Sequence, residues 1–328
     1  MAVYTEVSSE ALNEFLARFD VGELVSSKGI AEGVENSNYL VETTQGRFIL
    51  TLYEKRVDAA DLPYFMALLD HLADKGLPVP PAVPDKSGEE IHELCGRPAC
   101  LIRFLPGVSV TRPTSGQAQA AGRALAEMHR AVADFSRDRE NTMGQPTWRP
   151  LFERCGDSLD RIAPGLQTDL GRAIEDVAAN WHRFETGEKT ELDRCAIHAD
   201  LFPDNVLMLG DRVTGLIDFY FACTDFRLYD LAVMHAAWAF DATGTSFDKS
   251  IGDALVDGYT TLFPLSDDEQ AAFGDLAVGA CVRFTLSRAW DWLNTPEDAV
   301  VTRKDPLAFW RRVKIYDPDL AAKLPTLS

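Results

Sequence analysis

The hydrophobic positions change period along the chain, and each change marks an element. Leu12, Phe15, Leu16 and Phe19 recur at helical spacing, Ser8 or Ser9 can cap their start, and the pattern ends near Gly22. From Leu24 it becomes strand, turn, strand: LVSSKGIAEGVENSNYLVET, a turn at Gln45-Gly46, then RFILTLYEK. Asp61 to Gly76 has an acid at its start, Pro63 in its first turn, a stripe of Leu62, Phe65, Leu69 and Leu72, and a closing glycine, which predicts an amphipathic helix. LPVPP breaks it. Glu90–Leu94 and Ala99–Phe104 then form a hairpin that leads to Leu105-Pro106-Gly107.

Downstream the pattern is mainly helical. Ser115 opens a helix with Ala118, Ala121, Leu125 and Met128 on one side, small enough for close packing. Asp134 to Trp148 reads as a polar loop, more helical pattern follows to Phe184, and Thr186 to Asp193 is a solvated connection. Beyond residue 220, helices are predicted over Tyr229–Phe240 and Ile251–Leu262, after the capping box Ser266-x-x-Glu269, and around Val278–Leu293. The expected fold class is α+β with two lobes. Residues 1–105 are mostly antiparallel sheet, residues 106–328 are mostly helix, and the active site is expected between them.

Composition narrows the function. Lys and Arg number 32 against 51 Asp and Glu, a net charge of −19 with no basic patch, so nucleic acid and anionic membrane are excluded as partners. The six cysteines include no C-x-x-C pair, and His92 near Cys95 and Cys100 lacks the further ligands of a metal knuckle, so free, buried or partly buried thiols are expected. The start MAVYTEVSSEALNEFLARF has no signal-peptide pattern, and no apolar run approaches the roughly 20 residues of a membrane span. A cytoplasmic, reduced protein is expected. The sequence leaves its oligomeric state open.

The chemistry gathers in one stretch, Cys195 to Tyr220, CAIHADLFPDNVLMLGDRVTGLIDFY. His198, Asp200 and Asn205 stand in the order H-x-D-x-x-x-x-N, and Asp218 follows after thirteen residues. The apolar runs Asn205–Leu209 and Val213–Ile217 flank Gly210-Asp211-Arg212, which predicts a hairpin that brings Asn205 and Asp218 to neighbouring strand ends. An amide oxygen and a carboxylate on rigid strands form a hard-oxygen site suited to Mg²⁺. Asp200 is free to meet a substrate hydroxyl. Phosphoryl transfer needs this set, an acid for the nucleophile's proton and an Asn and an Asp for the metal that bridges the phosphates. His198 is assigned to bracing the loop. Upstream, Gly29, Gly33, Asn36, Ser37 and Asn38 lie around a turn whose small residues let backbone N–H groups face an anion, as a cover for nucleotide phosphates.

These residues resemble the kinases that phosphorylate small molecules on the protein-kinase-like fold: aminoglycoside phosphotransferases, choline kinases and one group of bacterial homoserine kinases. HADLFPDN matches their catalytic loop, IDFY places Asp218 at their metal-binding Asp, and YDLA, Tyr229 to Ala232, follows at the family's spacing with a structural Asp230. GVENSNYLV is similar to their Gly-x-x-Asn-x-x-Tyr nucleotide loop, and His129 ends an L-x-x-M-H pattern that looks structural there. The resemblance implies ATP and Mg²⁺ as cofactors, with Arg103 and Leu105 in a hinge whose backbone binds adenine.

The phrases FILTLYEKR, DLPYFMALLDHL, IDFYFACTDFRLYDLA and RFTLSRAWDW look like the homoserine kinases over nearly the whole chain. They imply phosphorylation of the side-chain hydroxyl of L-homoserine, a step towards threonine. Choline, ethanolamine, methylthioribose or an aminoglycoside is the alternative acceptor.

Two features set the chain apart. The family's phosphate lysine and its glutamate partner fall near Thr51 and Met66, neither of which is ionisable. The loss of both leaves no unpaired buried acid. A different clamp is expected, from Lys55, Arg56 or Lys28, and the rival reading is a regulatory module that binds nucleotide without turnover. In VGACVRFTLSRAWDWL two arginines interrupt an apolar run, and half-buried arginines need an anion, either an acid such as Asp291 or a substrate carboxylate. Five helical positions turn Arg283 and Arg288 roughly 140° apart. Arg283 is preferred for the substrate, with Arg288 as the alternative.

Overall fold

The structure is a computed structural model that describes residues 4–30, 36–54, 57–186, 192–295 and 303–327. It divides into two compact units, residues 1–107 with 214–220, and residues 108–213 with 221–328.

The first unit opens with α1 (Ser9–Leu16), capped by the Ser8 hydroxyl and burying Leu12, Phe15 and Leu16. Strands β1 (Leu24–Gly29), β2 (Ser37–Thr43) and β3 (Gly46–Leu52) follow as an antiparallel meander. Helix α2 (Leu62–Asp74) has Pro63 in its first turn, and the hairpin of β4 (His92–Leu94) and β5 (Arg97–Arg103) completes a sheet of order β1-β2-β3-β5-β4. One sheet face packs Tyr39, Val41, Leu50, Leu52, Ala99 and Leu101 against α1. Alternation along the strands turns Asn38, Thr51 and Cys100 to the other face, and the register places Asn38 opposite Thr51 and Thr51 opposite Cys100.

The second unit begins with α3 (Ser115–Ala131), capped by a Thr114–Gln117 capping box. Helix α4 (Gln145–Cys155) starts inside the stretch expected to be a loop up to Trp148. Pro146 sits in its first turn and Trp148 is buried, so the proline marks a helix start there. Next come α5 (Leu166–Glu185) and β6 (Arg194–Ile197). The predicted hairpin forms as β7 (Val206–Leu209) and β8 (Arg212–Leu216), turning at Gly210 with φ +62°. Strand β9 (Cys223–Phe226) pairs antiparallel with β6, a contact that no sequence pattern announced.

Helices α6 (Arg227–Trp238) and α7 (Lys249–Thr260) precede α8 (Asp267–Asn294). The two helices expected around Ser266 and Val278 are one element, α8, opened by the Ser266–Glu269 capping box. Short helices α9 (Leu307–Trp310), α10 (Val313–Tyr316) and α11 (Pro318–Ala321) follow. Helices α3 and α7 approach to backbone contact, where a Cβ on Gly122 would stand 2.0 Å from the Leu255 carbonyl oxygen.

Five of the six thiols are buried or half-buried. Cys95 is exposed on the β4–β5 turn, where it and Gly96 both take positive φ as a two-residue hairpin turn requires. Among the described residues no helix is long and apolar enough to cross a membrane.

Candidate active site

The catalytic loop of the second unit leaves β6 at His198 and passes through Ala199 at φ +63°, a left-handed conformation costly for a residue with a Cβ. Two buried charges hold that turn. Asp230, fully buried on α6, accepts from the backbone N–H of His198 at 2.7 Å and of Ala199 at 2.8 Å. On the other side, the guanidinium of Arg283 donates to the Ala199 carbonyl.

Asp230 also meets His129 Nε2 at 3.0 Å, and the other nitrogen of that ring meets the Tyr259 hydroxyl. The Tyr259 hydroxyl accepts from Arg227, which pairs with Asp193 and Glu269. Burial alone pushes the Asp230 carboxyl up. The hydrogen bond and charge of His129, the nearby His198 and the His198 N–H outweigh it and bring the carboxyl below its ordinary range.

His198 is fully buried, and its Nδ1 accepts from the Asp200 N–H, which fits bracing rather than proton transfer. Asp200 is half-buried at the mouth of the loop. Asn205 directs Nδ2 to the Asp200 carbonyl at 2.8 Å and to its carboxylate at 3.4 Å. The amide oxygen of Asn205 therefore faces away from Asp200, as a hard-oxygen metal ligand must. Asn205 immediately precedes β7.

Arg283, the arginine preferred for a substrate, is buried on α8, with its guanidinium bonded to the Ala199 carbonyl and 4.5 Å from the Phe284 ring centroid. Arg288, one and a half turns on, has a different setting. It is half-buried, stands 4.6 Å from the Phe309 centroid and donates to the Asp305 carbonyl over a long 3.4 Å. Burial and the neighbouring Arg312 lower its pKa to about 10, against the charges of Asp200, Asp305 and Asp204. A desolvated guanidinium is a strong partner for a carboxylate. Phe202, Phe284 and Phe309 pack together beside it.

In the first unit, Asp218 follows β8 by two residues at φ +67°, a third non-glycine residue in the left-handed region after Cys95 and Ala199. Gly29 ends β1 and pairs with Tyr39. Asn36 is buried and accepts from the Glu54 N–H. Ser37 faces the interior, its hydroxyl donating to Glu54 and accepting from Tyr4 and Thr5, so only its backbone remains for a ligand. Asn38 is half-buried on the other sheet face and bonded to Thr51. Arg103 ends β5 with its side chain exposed, and Leu105 follows it half-buried. Gly33, Lys55 and Arg56 lie outside the described residues. Thr51 and Met66 are both buried, the former beside hydroxyls and the latter within the apolar face of α2.

The family model of the phosphotransferase enzyme family (APH) matches residues 26–265. The chain belongs to that family. It is 48% identical to a homoserine kinase of Gluconobacter oxydans over 316 residues, covering 96% of this chain and 98% of the relative. It is 49% identical to a homoserine kinase of Methylobacterium radiotolerans, covering 96% of each.

Solved structures share the fold at low identity. An amicoumacin kinase complexed with AMP-PNP, Ca²⁺ and its antibiotic matches at TM-score 0.70 and 15% identity, over 95% of this chain and 94% of that one. A choline kinase of Cryptosporidium parvum matches at 0.67 and 13%, over 97% and 96%. The two-part architecture, antiparallel sheet and then mainly helix, is that of the protein-kinase-like phosphotransferases.

Proposed function

We propose that this chain transfers the γ-phosphoryl group of ATP to the side-chain hydroxyl of L-homoserine. The observation that carries the reading is the near-full-length likeness to homoserine kinases. The catalytic loop supplies chemistry that suits it. The homoserine oxygen forms a bond to the γ-phosphorus, the bond from that phosphorus to the β–γ bridging oxygen breaks, and ADP leaves. The hydroxyl proton passes to Asp200, which is held by the Ala199 turn.

Asn205 and Asp218 are the proposed Mg²⁺ ligands, and the metal would neutralise charge on the phosphates. Arg288 is the proposed partner of the homoserine carboxylate and Arg283 a support for the loop. The backbone of Gly29, Gly33, Asn36 and Ser37 is proposed to cover the phosphates, with Arg103 and Leu105 beside the adenine.

Incubation with Mg·ATP and a panel comprising homoserine, choline, ethanolamine, methylthioribose and an aminoglycoside tests the reading. ADP release that depends on homoserine supports it, and turnover with another member instead overturns the acceptor. The uncharged Thr51 and Met66 favour a second reading, a nucleotide-binding module without turnover. Stabilisation by nucleotide with no product from any alcohol would establish that reading.

A further inference from the structure

On the face of the five-stranded sheet that carries Asn38, Thr51 and Cys100, a chain of neutral groups surrounds Thr51. The Tyr53 hydroxyl donates to the Tyr220 hydroxyl over a long 3.4 Å, Tyr220 is hydrogen-bonded to Thr51, and Thr51 Oγ1 donates to Asn38 Oδ1 at 2.8 Å. The rings of Tyr53 and Phe65 meet Tyr220 edge-on at 5.2 and 5.9 Å.

A hydroxyl has one proton to give. Tyr53 gives its proton to Tyr220, and Thr51 gives its own to Asn38. That order leaves one orientation for the Asn38 amide. Its oxygen is turned to Thr51, and its two N–H donors are on the opposite side of a half-buried side chain. Tyr220 is also two residues past Asp218, so the same chain ties the amide to the segment bearing the proposed metal ligand.

We propose that Asn38 is a neutral phosphate clamp. Its Nδ2 hydrogens donate to phosphate oxygens of the nucleotide where a lysine would otherwise act, and Thr51 and Tyr220 are positioning residues that fix the amide's direction. The assignment rests on the reading of the chain as an ATP-dependent kinase, and it extends that reading to a charge-free contact for the phosphates. A neutral donor beside Thr51 needs no buried counter-charge, in keeping with the uncharged Met66 at the position of the family's glutamate.

Calorimetric titration of the whole protein with Mg·ATP and, separately, with adenosine tests the proposal. Asn38→Ala should weaken Mg·ATP about tenfold, as expected for a lost hydrogen bond to a charged group, and leave adenosine within about twofold. Asn38→Asp, nearly the same shape, should weaken Mg·ATP at least as much. Thr51→Val should cost roughly threefold while Thr51→Ser retains wild-type binding, and Asn38→Ala with Thr51→Val should be no weaker than Asn38→Ala alone. Unchanged Mg·ATP affinity in the Asn38 variants, or an equal loss of adenosine, overturns the clamp. A wild-type protein that binds Mg·ATP but phosphorylates no homoserine would sink the acceptor reading and leave the ratio of ATP to adenosine affinity to decide the clamp.

Discussion

Arg283 donates to the carbonyl of Ala199 from beneath the catalytic loop, while Asp230 accepts the N–H of the same residue from above. Ala199, the residue before Asp200, is thus held at both its backbone N–H and its carbonyl in a conformation that it would not choose. In the proposed function Arg283 acts through Asp200 rather than on the acceptor. Arg283→Ala should lower kcat by about 10²-fold, the order of loss expected for a displaced catalytic group, with the homoserine KM within about twofold of wild type. Added guanidinium should restore part of kcat by refilling the space. Steady-state kinetics with and without guanidinium decide the matter, and a raised homoserine KM at unchanged kcat would return Arg283 to the substrate.

Arg288 carries the opposite expectation. Its charge is desolvated, leans on Phe309 and lies within the field of Asp200. Arg288→Ala should raise the homoserine KM about tenfold or more, since a charge-assisted contact contributes on the order of 1.5–3 kcal/mol, and leave the KM for ATP nearly unaltered. Equal changes in both constants would make it a residue of the fold alone.

The sequence made some of this legible and concealed the rest for physical reasons. Capping residues and helical periodicity revealed α1, α2, α3 and α8, because those signals act within one turn of the chain. Asp200, Asn205 and Asp218 stood out as candidates because their spacing is set by one loop and one hairpin. The pairing of β6 with β9 joins segments about thirty residues apart, and a four-residue strand carries too few alternating positions to declare itself. The preference between Arg283 and Arg288 could not be settled from helical angles. It depends on which neighbours pack against each face, Ala199 in one case and Phe309 in the other. Asn38 was visible as a small polar residue, but its orientation depends on Thr51 opposite it on the neighbouring strand.

Glu90 provides a pH test away from the catalytic loop. Burial first, then the charge and hydrogen bond of Asp70, raise its carboxyl to about 7, and Asp70 is raised as well. Between pH 4.5, the ordinary value for Glu, and about 7 the folded chain holds more protons than the unfolded chain, so stability falls as pH rises through that window. Glu90→Gln removes the repulsion. Thermal melts should show the variant more stable than wild type at pH 8 and close to it at pH 4.5, and a pH-independent difference would refute the raised Glu90 carboxyl.

Asp200 and Asp218 should fail in different ways when each is converted to the isosteric amide. Asp200→Asn removes a proton acceptor but keeps the side chain's size, and general-base losses run to roughly two to four orders of magnitude in kcat. ATP binding should survive, because Asn205 can still donate to the Asp200 backbone carbonyl and keep its own oxygen turned outward. Asp218→Asn exchanges a charged hard ligand for a neutral one and should raise both the Mg²⁺ requirement and the KM for Mg·ATP. Adenosine affinity should be unchanged in both variants, since neither residue is assigned to the base. Magnesium titrations of activity alongside adenosine calorimetry separate the two roles. Near-wild-type turnover in Asp200→Asn would remove it as the base, and an unaltered magnesium dependence in Asp218→Asn would remove it as the ligand.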